Sequence, residues 1–247
     1  MTSKDLFSQH AHLYAAFRPD YPKELYDFIF AHVHDFSTAW DCATGNGQAA
    51  KELASRFKQV YATDISEKQM SNGYQTPNIK YSVSGAEQAS FPDSSFDLIT
   101  VAQAVHWFKL DRFYAEVDRV AKENSVLAIW GYGLLSVNPE FDRKLQKFYK
   151  EIVGPYWDPE RKLIDESYQT IPFPFREILP PVFSFTKNWD IQQMQGYLST
   201  WSAVQKYIKA TGRDPLPDFI SDCQGTFGVG LQTVEFPLFI RLGIVVK

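Results

Sequence analysis

Trp40-Asp41-Cys42-Ala43-Thr44-Gly45-Asn46-Gly47-Gln48, with Tyr61-Ala62-Thr63-Asp64-Ile65 at the end of the next strand-like run, decides the fold of this chain. The two stretches set an acid, a glycine-turned loop and a second acid where a doubly wound α/β sheet holds a nucleotide-like ligand. Gly45 and Gly47 let the backbone turn sharply and approach a ligand closely, because no Cβ stands in the way. Outward from this loop, short apolar runs recur over residues 39–43, 59–65, 79–83, 96–102 and 125–131, with amphipathic segments between them. Strands alternating with helices imply right-handed crossovers and a mostly parallel sheet covered on both faces. In the segment 109–121, Leu110, Phe113, Val117 and Val120 form one apolar stripe, and Asp111, Arg112, Asp118 and Arg119 face water.

Two cofactor classes use such a loop. Gly45-Asn46-Gly47-Gln48-Ala49-Ala50 fits G-x-G-x-x-A, and Asp64 follows at nearly the spacing of the ribose-binding acid of a nicotinamide site. Asp41 favours the other class. A carboxylate beside the loop would repel a pyrophosphate, whereas S-adenosylmethionine has no phosphate and offers a sulfonium and an ammonium group. The same residues also suit plainer roles, Asp41 as a strand-end turn residue and Asp64-Ile65-Ser66-Glu67 as the opening of a helix.

A longer series of motifs resembles the class I S-adenosylmethionine-dependent methyltransferases, in particular the small-molecule branch of trans-aconitate methyltransferase-like proteins. It comprises Tyr14-Ala15-Ala16-Phe17-Arg18-Pro19-Asp20-Tyr21-Pro22, the Asp41 loop, Asp64, Gly85-Ala86-Glu87, and Phe96 through Ala102-Gln103-Ala104-Val105-His106-Trp107-Phe108. Ala43-Thr44 stands where such families usually carry a further glycine. The resemblance implies a Rossmann-like doubly wound sheet with S-adenosyl-L-methionine as cofactor. Asp41, Gly45 and Gly47 would pass the methionine portion, Asp64 would accept from the ribose, and Ile65 would wall the adenine. Ala86 and Glu87 would lie near the adenine edge, and Ala102 and Gln103 near the sulfonium.

The chain has 247 residues, 45% hydrophobic and 16% aromatic, enough for one domain with its own core. A formal charge of −4 argues against general nucleic-acid affinity, which needs a basic surface. Cys42 and Cys223 make no metal-type pair and suit a reducing, cytoplasmic setting. The apolar tail 234–246 is interrupted by Glu235, Pro237 and Arg241, so no membrane span is expected. His10 with His12 and His32 with His34 would point to different helix faces, so no metal site is expected.

One domain is expected to comprise an N-terminal helical cap over 1–36, broken at Pro19 and Pro22, and a cofactor-binding core over 37–133. A lid insertion over 134–181 follows the fifth strand, and the remaining sheet and helices occupy 182–247. The lid is inferred from its aromatic and proline-rich composition, since aromatics seek burial and prolines limit helix. His106, just beyond the fourth strand, is the candidate base or orienting group, and its alternative is a packed loop residue. Tyr14, Arg18, Tyr21, Trp107, Trp157, Arg161 and Tyr168 are candidate acceptor-binding residues, with ordinary packing and solvated charge as the competing account. The expected reaction is methyl transfer to a small molecule. A carboxylate oxygen is favoured because no clear acid-base pair stands in the sequence. A protein that binds S-adenosylmethionine without catalysis and a nicotinamide-dependent oxidoreductase are the alternatives.

Overall fold

The computed structural model describes residues 20–247. Tyr14 and Arg18, and the first part of the expected cap, lie outside the described residues. Helix α1 (Lys23–Phe30) precedes a regular alternation: β1 (Thr38–Cys42), α2 (Gln48–Ala54), β2 (Gln59–Asp64), α3 (Glu67–Met70), β3 (Ile79–Val83), β4 (Phe96–Ala102), α4 (Leu110–Val120) and β5 (Ala121–Tyr132). Then come α5 (Pro139–Lys147), α6 (Arg161–Asp165), β6 (Arg176–Ile178), β7 (Phe183–Trp189), α7 (Ile191–Ser199), α8 (Ser202–Thr211), α9 (Leu216–Phe227) and β8 (Gln232–Ile244).

The strands form one sheet in the order β3-β2-β1-β4-β5-β8-β6, with β7 also on β8. Strands β1 to β5 pair in parallel, and β8 runs antiparallel to β5, β6 and β7. The sheet is buried on both faces, which explains its near-continuous apolar runs. Ala39, Leu98, Val126, Ala128 and Trp130 face one core, and Trp40, Ile99, Val101, Leu127 and Ile129 face the other. Helices α5, α7, α8 and α9 cover the first face, where Phe148 stacks on Phe219 with centroids 4.4 Å apart. Helix α4 covers the second with Phe113, Val117 and Val120.

The outer strand explains why the sequence reads as a lid as far as residue 181. Arg176 opposes Ile244 and Ile178 opposes Leu242, then Phe183 opposes Leu238. Four residues, Leu179-Pro180-Pro181-Val182, thus bridge a gap that three residues of β8 span, so β6 and β7 are one edge strand interrupted by a bulge. The prolines cannot donate to a ladder, and an interrupted edge is also a poor template for pairing with another sheet. The segment 134–181 therefore ends in sheet, from Arg176 onward. Its earlier part is clasped by Arg241 of β8, whose Nη1 donates to the carbonyls of Tyr168 and Ile171 at 3.0 and 3.1 Å. Arg241 is in turn paired with Glu177.

Cys42 and Cys223 are free and buried. Among the described residues no helix is long and apolar enough to cross a membrane, and no group of three or more His, Cys, Asp or Glu is placed to hold a metal ion.

Candidate active site

Strand order reverses between β1 and β4, so the crevice outside their carboxyl ends is where an open α/β sheet takes its ligand. The Asp41 loop, Asp64 and Gln103 all sit there, because β2, β1 and β4 are parallel neighbours. The loop turns through left-handed backbone at Ala43 (φ 56°), Gly45 (φ 57°) and Gly47 (φ 79°). Ala43 thus adopts a conformation that favours glycine. A Cβ at Gly47 would stand 2.3 Å from the Tyr81 hydroxyl, whereas nothing lies within 4 Å of one built at Gly45.

Two acids shape this loop from opposite sides. Asp41 is 1% exposed and accepts from Thr44 Oγ1 at 2.5 Å, Thr100 Oγ1 at 2.8 Å and the Ala50 amide at 3.1 Å. Its carboxylate therefore braces the loop from inside. Burial pushes its pKa up to about 6, although the Thr44 and Thr100 hydroxyls oppose the rise. Asp64, only partly buried, accepts from the Gly45 amide at 2.9 Å and the Ser66 amide at 2.8 Å. Ile65 beside it is 42% exposed, an apolar side chain left outside the core.

The loop carrying Ala86 and Glu87 is fastened to α4. The Ala89 amide donates to Glu116 Oε1 at 2.7 Å, and Arg119 donates to the carbonyls of Ala89 and Phe91. Ala86 is buried, and Glu87 Oε1 accepts from the Lys109 amide at 3.0 Å just before α4. Beyond half-buried Ala102, Gln103 has φ 54° and bridges to β5, its Oε1 accepting from the Tyr132 amide at 2.8 Å. Gly131 leaves the room it needs, since a Cβ there would stand 2.6 Å from that oxygen.

A small cavity of about 50 Å³ continues from Gln103 between His106, Trp107, Trp157, Asp158, Arg161 and Trp201. His106, on a single 3-10 turn (Val105–Trp107), is 7% exposed, and its Nδ1 lies 2.8 Å from the Tyr168 hydroxyl. Burial, then the nearby Arg161 charge, lowers its pKa to about 3. It is therefore a neutral hydrogen-bonding group at physiological pH. Tyr168 itself is fully buried behind the imidazole.

Arg161 opens α6 with its side chain 16% exposed. Its guanidinium lies over Trp157, 4.6 Å from the ring centroid, and over Tyr149 at 5.4 Å. Nε donates to the Tyr149 hydroxyl at 2.7 Å, leaving Nη1 and Nη2 with no hydrogen-bond acceptor among the described residues. Tyr149 is delivered by a π-helical segment (Phe148–Ile152) that widens the end of α5. Tyr21 packs edge-on against Trp130 with centroids 5.5 Å apart, and its ring centroid lies 6.3 Å from that of Tyr132, whose amide donates to Gln103.

Sequence reasoning missed Asp158, Tyr149, Trp201 and Lys206. Asp158-Pro159 marks a helix start, but nothing in it signals a pocket. Trp201 sits in the break between α7 and α8, a kink that the apolar pattern of residues 191–210 hides.

Comparison with known proteins supplies the chemistry of the crevice. Residues 40–129, from β1 almost to the end of β5, match the family model of the methyltransferase domain. A Dictyostelium discoideum protein named as a methyltransferase is 41% identical over 247 residues, spanning 96% of this chain and 94% of that one. A solved structure from Anaeromyxobacter dehalogenans described as a type II methyltransferase has a TM-score of 0.86 at 37% identity, over 94% of this chain and 99% of that one. A Bacillus halodurans structure described as a methyltransferase shares the fold, with a TM-score of 0.53 at 18% identity over 92% and 100% of the two chains.

The residues present suit the cofactor this family uses. An acid ends β2 beside an exposed isoleucine and next to an open glycine, whereas Asp41 is turned inward to brace the loop and does not itself discriminate between the two cofactors. Full-length identity of 41% to a methyltransferase, the matched domain and the shared topology decide between the two cofactor classes open at the glycine loop, and the chain belongs to the class I S-adenosylmethionine-dependent methyltransferases.

Proposed function

We propose that this enzyme methylates a small organic acid at a carboxylate oxygen, as the resemblance to the trans-aconitate methyltransferase-like branch implies. The observation that carries this reading is Arg161. Its guanidinium lies over the Trp157 and Tyr149 rings with Nε on the Tyr149 hydroxyl, and its two terminal nitrogens have no hydrogen-bond acceptor among the described residues. Among the described residues the one carboxylate paired with this guanidinium is Asp165, 3.4 Å from Nε, so the edge formed by Nη1 and Nη2 is suited to bind a carboxylate from outside. In an acidic protein, such a local cation offsets the long-range repulsion of an anionic ligand.

The imidazole supports the same conclusion. A phenol or amine must lose a proton to become a good nucleophile, and a pKa of about 3 makes His106 a poor base at neutral pH. A carboxylate arrives already ionised. His106 then serves as an orienting group, its ring fixed by Tyr168 and packed against Trp107.

S-adenosylmethionine, when bound, supplies a methyl group already activated by a sulfonium. Asp64 would hold the ribose, Gly45 and Gly47 the methionine side, Ile65, Ala86 and Glu87 the adenine, and Ala102 and Gln103 the reacting end. Arg161 holds the acid, and Trp107, Trp157 and Trp201 exclude water from it. Esterification removes one negative charge, so the product binds Arg161 less tightly than the acid does. A cavity of about 50 Å³ admits little more than a polar head group, so residues 134–175, the part of this segment outside the sheet, act as a lid that shifts to admit the acceptor.

The test is incubation with methyl-labelled donor and a panel of di- and tricarboxylic acids, followed by mild base. Label released as methanol from an acid supports the reading. Base-stable label on a phenol or amine, with no ester from any acid, refutes it.

A further inference from the structure

We propose that the acceptor acid carries a hydroxyl group close to its carboxylates, and that Asp158 is the specificity-determining residue that reads it; this rests on the acid reading above. Asp158 is 7% exposed and lines the cavity. Its Oδ2 pairs with Lys206 Nζ at 2.5 Å, and no other donor among the described residues reaches the carboxylate. A carboxylate has about four lone-pair sites, and a buried one normally fills several.

The obvious local role for this acid is not used. Asp158 precedes Pro159 and α6, where an aspartate side chain commonly caps the helix. Here the Arg161 amide donates to the Asp158 main-chain carbonyl at 2.9 Å, and among the described residues no backbone amide reaches the carboxylate. The side chain lines the cavity without a capping function.

The same cavity offers the opposite kind of group beside it. Arg161 Nη1 and Nη2 have no hydrogen-bond acceptor among the described residues. A ligand that satisfies the wall must bring acceptors to Arg161 and a donor to Asp158. A simple carboxylic acid brings acceptors only and would set an anion against Asp158. A hydroxy acid brings both. An ammonium group could also donate, but Lys206 already occupies that side with positive charge, so a neutral hydroxyl fits better.

The test uses the full chain loaded with S-adenosylhomocysteine and calorimetric titration with matched acids: butanedioate, its 2-hydroxy form and its 2-amino form. Propane-1,2,3-tricarboxylate and its 2-hydroxy form make a second pair. The hydroxy acid of each pair is expected to bind roughly tenfold or more tightly than its parent, the effect of one charge-assisted hydrogen bond in a buried site. Asp158→Asn and Asp158→Ala should each cut that preference at least threefold, with S-adenosylhomocysteine affinity and melting as checks on folding. Equal binding of parent and hydroxy acid by the native protein, or no binding of either, overturns the proposal without recourse to a variant. A preference that survives both substitutions, or tighter binding of the amino form, also overturns it. Selective binding of hydroxy acids that yield no base-labile ester would refute the esterification and leave this ligand class standing.

Discussion

Replacing His106 by asparagine tests whether the imidazole at the end of β4 is held without its proton. Asparagine keeps a polar atom near the Nδ1 position facing Tyr168 but cannot titrate. The folded pKa of about 3 lies below the ordinary value of 6.5, so the group is neutral in both states above pH 6.5. As pH falls through 6.5, the unfolded chain binds a proton that the folded chain refuses, and stability is lost. Between pH 8 and pH 5 this costs about 2 kcal/mol. Asp41 works in the opposite sense. Its folded pKa is raised from 3.8 to about 6, so the folded state takes up the proton first and gains about 1.4 kcal/mol over the same interval.

The two contributions nearly cancel in the native protein, and single substitutions separate them. Urea unfolding followed by tryptophan fluorescence at pH 8, 7, 6 and 5 is the assay. Relative to the native protein, His106→Asn should gain about 2 kcal/mol between pH 8 and 5, and Asp41→Asn should lose about 1.4 kcal/mol. Any cavity or hydrogen-bond cost of either substitution shifts its curve without tilting it. Parallel stability curves for native protein and His106→Asn would show that the imidazole titrates normally. The argument against a histidine base would then fall.

Asp64→Asn should weaken S-adenosylhomocysteine binding about ten- to hundredfold by calorimetry, since one charge-assisted ribose contact contributes roughly 1.5 to 3 kcal/mol; unchanged affinity in the folded variant would remove Asp64 from the site. Gly47→Ala combines a left-handed backbone with a Cβ 2.3 Å from the Tyr81 hydroxyl, and should cost about 2 kcal/mol, seen as a melting temperature roughly 4 to 8 °C lower. Arg161→Lys preserves charge but not the fork, so KM for the acid should rise about tenfold while S-adenosylhomocysteine affinity stays within about twofold. Hydrogen exchange over residues 148–171 should slow with cofactor product and acid together more than with cofactor product alone, and identical protection would refute the lid.

How much of this was legible in the sequence follows from the range of the interactions involved. The strands β1 to β5 and α4 announce themselves because their side chains answer to one nearby face: Leu98 and Ile99, adjacent in sequence, enter the two different cores. The glycine loop is legible for a related reason, since backbone conformation is a local property that Gly45 and Gly47 record directly. Asp41 shows the limit. Its place at a strand end is readable, but the inward turn of its carboxylate depends on Thr100, which neighbours it only across the sheet. The edge strand is hidden by Pro180-Pro181, because a proline pair reads as loop unless the bulge that accommodates it is known.

The acceptor pocket is the least legible part, and the reason bears on how this fold acquires specificity. Gln103 and His106 come from the end of β4, Asp158 and Arg161 from the segment after β5, and Trp201 from a helix break. The cofactor side is assembled by strands in parallel register, so its acids are bound to the sheet and carry the family's pattern. Arg161 is instead held by Tyr149 and Trp157, and Asp158 by Lys206, through contacts that no sheet position enforces. Substitutions among these residues can therefore alter the acid that binds without disturbing Asp64 or the glycine loop. Variation on this scaffold is expected to concentrate between residues 149 and 206, while the crevice between β1 and β4 keeps the same methyl donor.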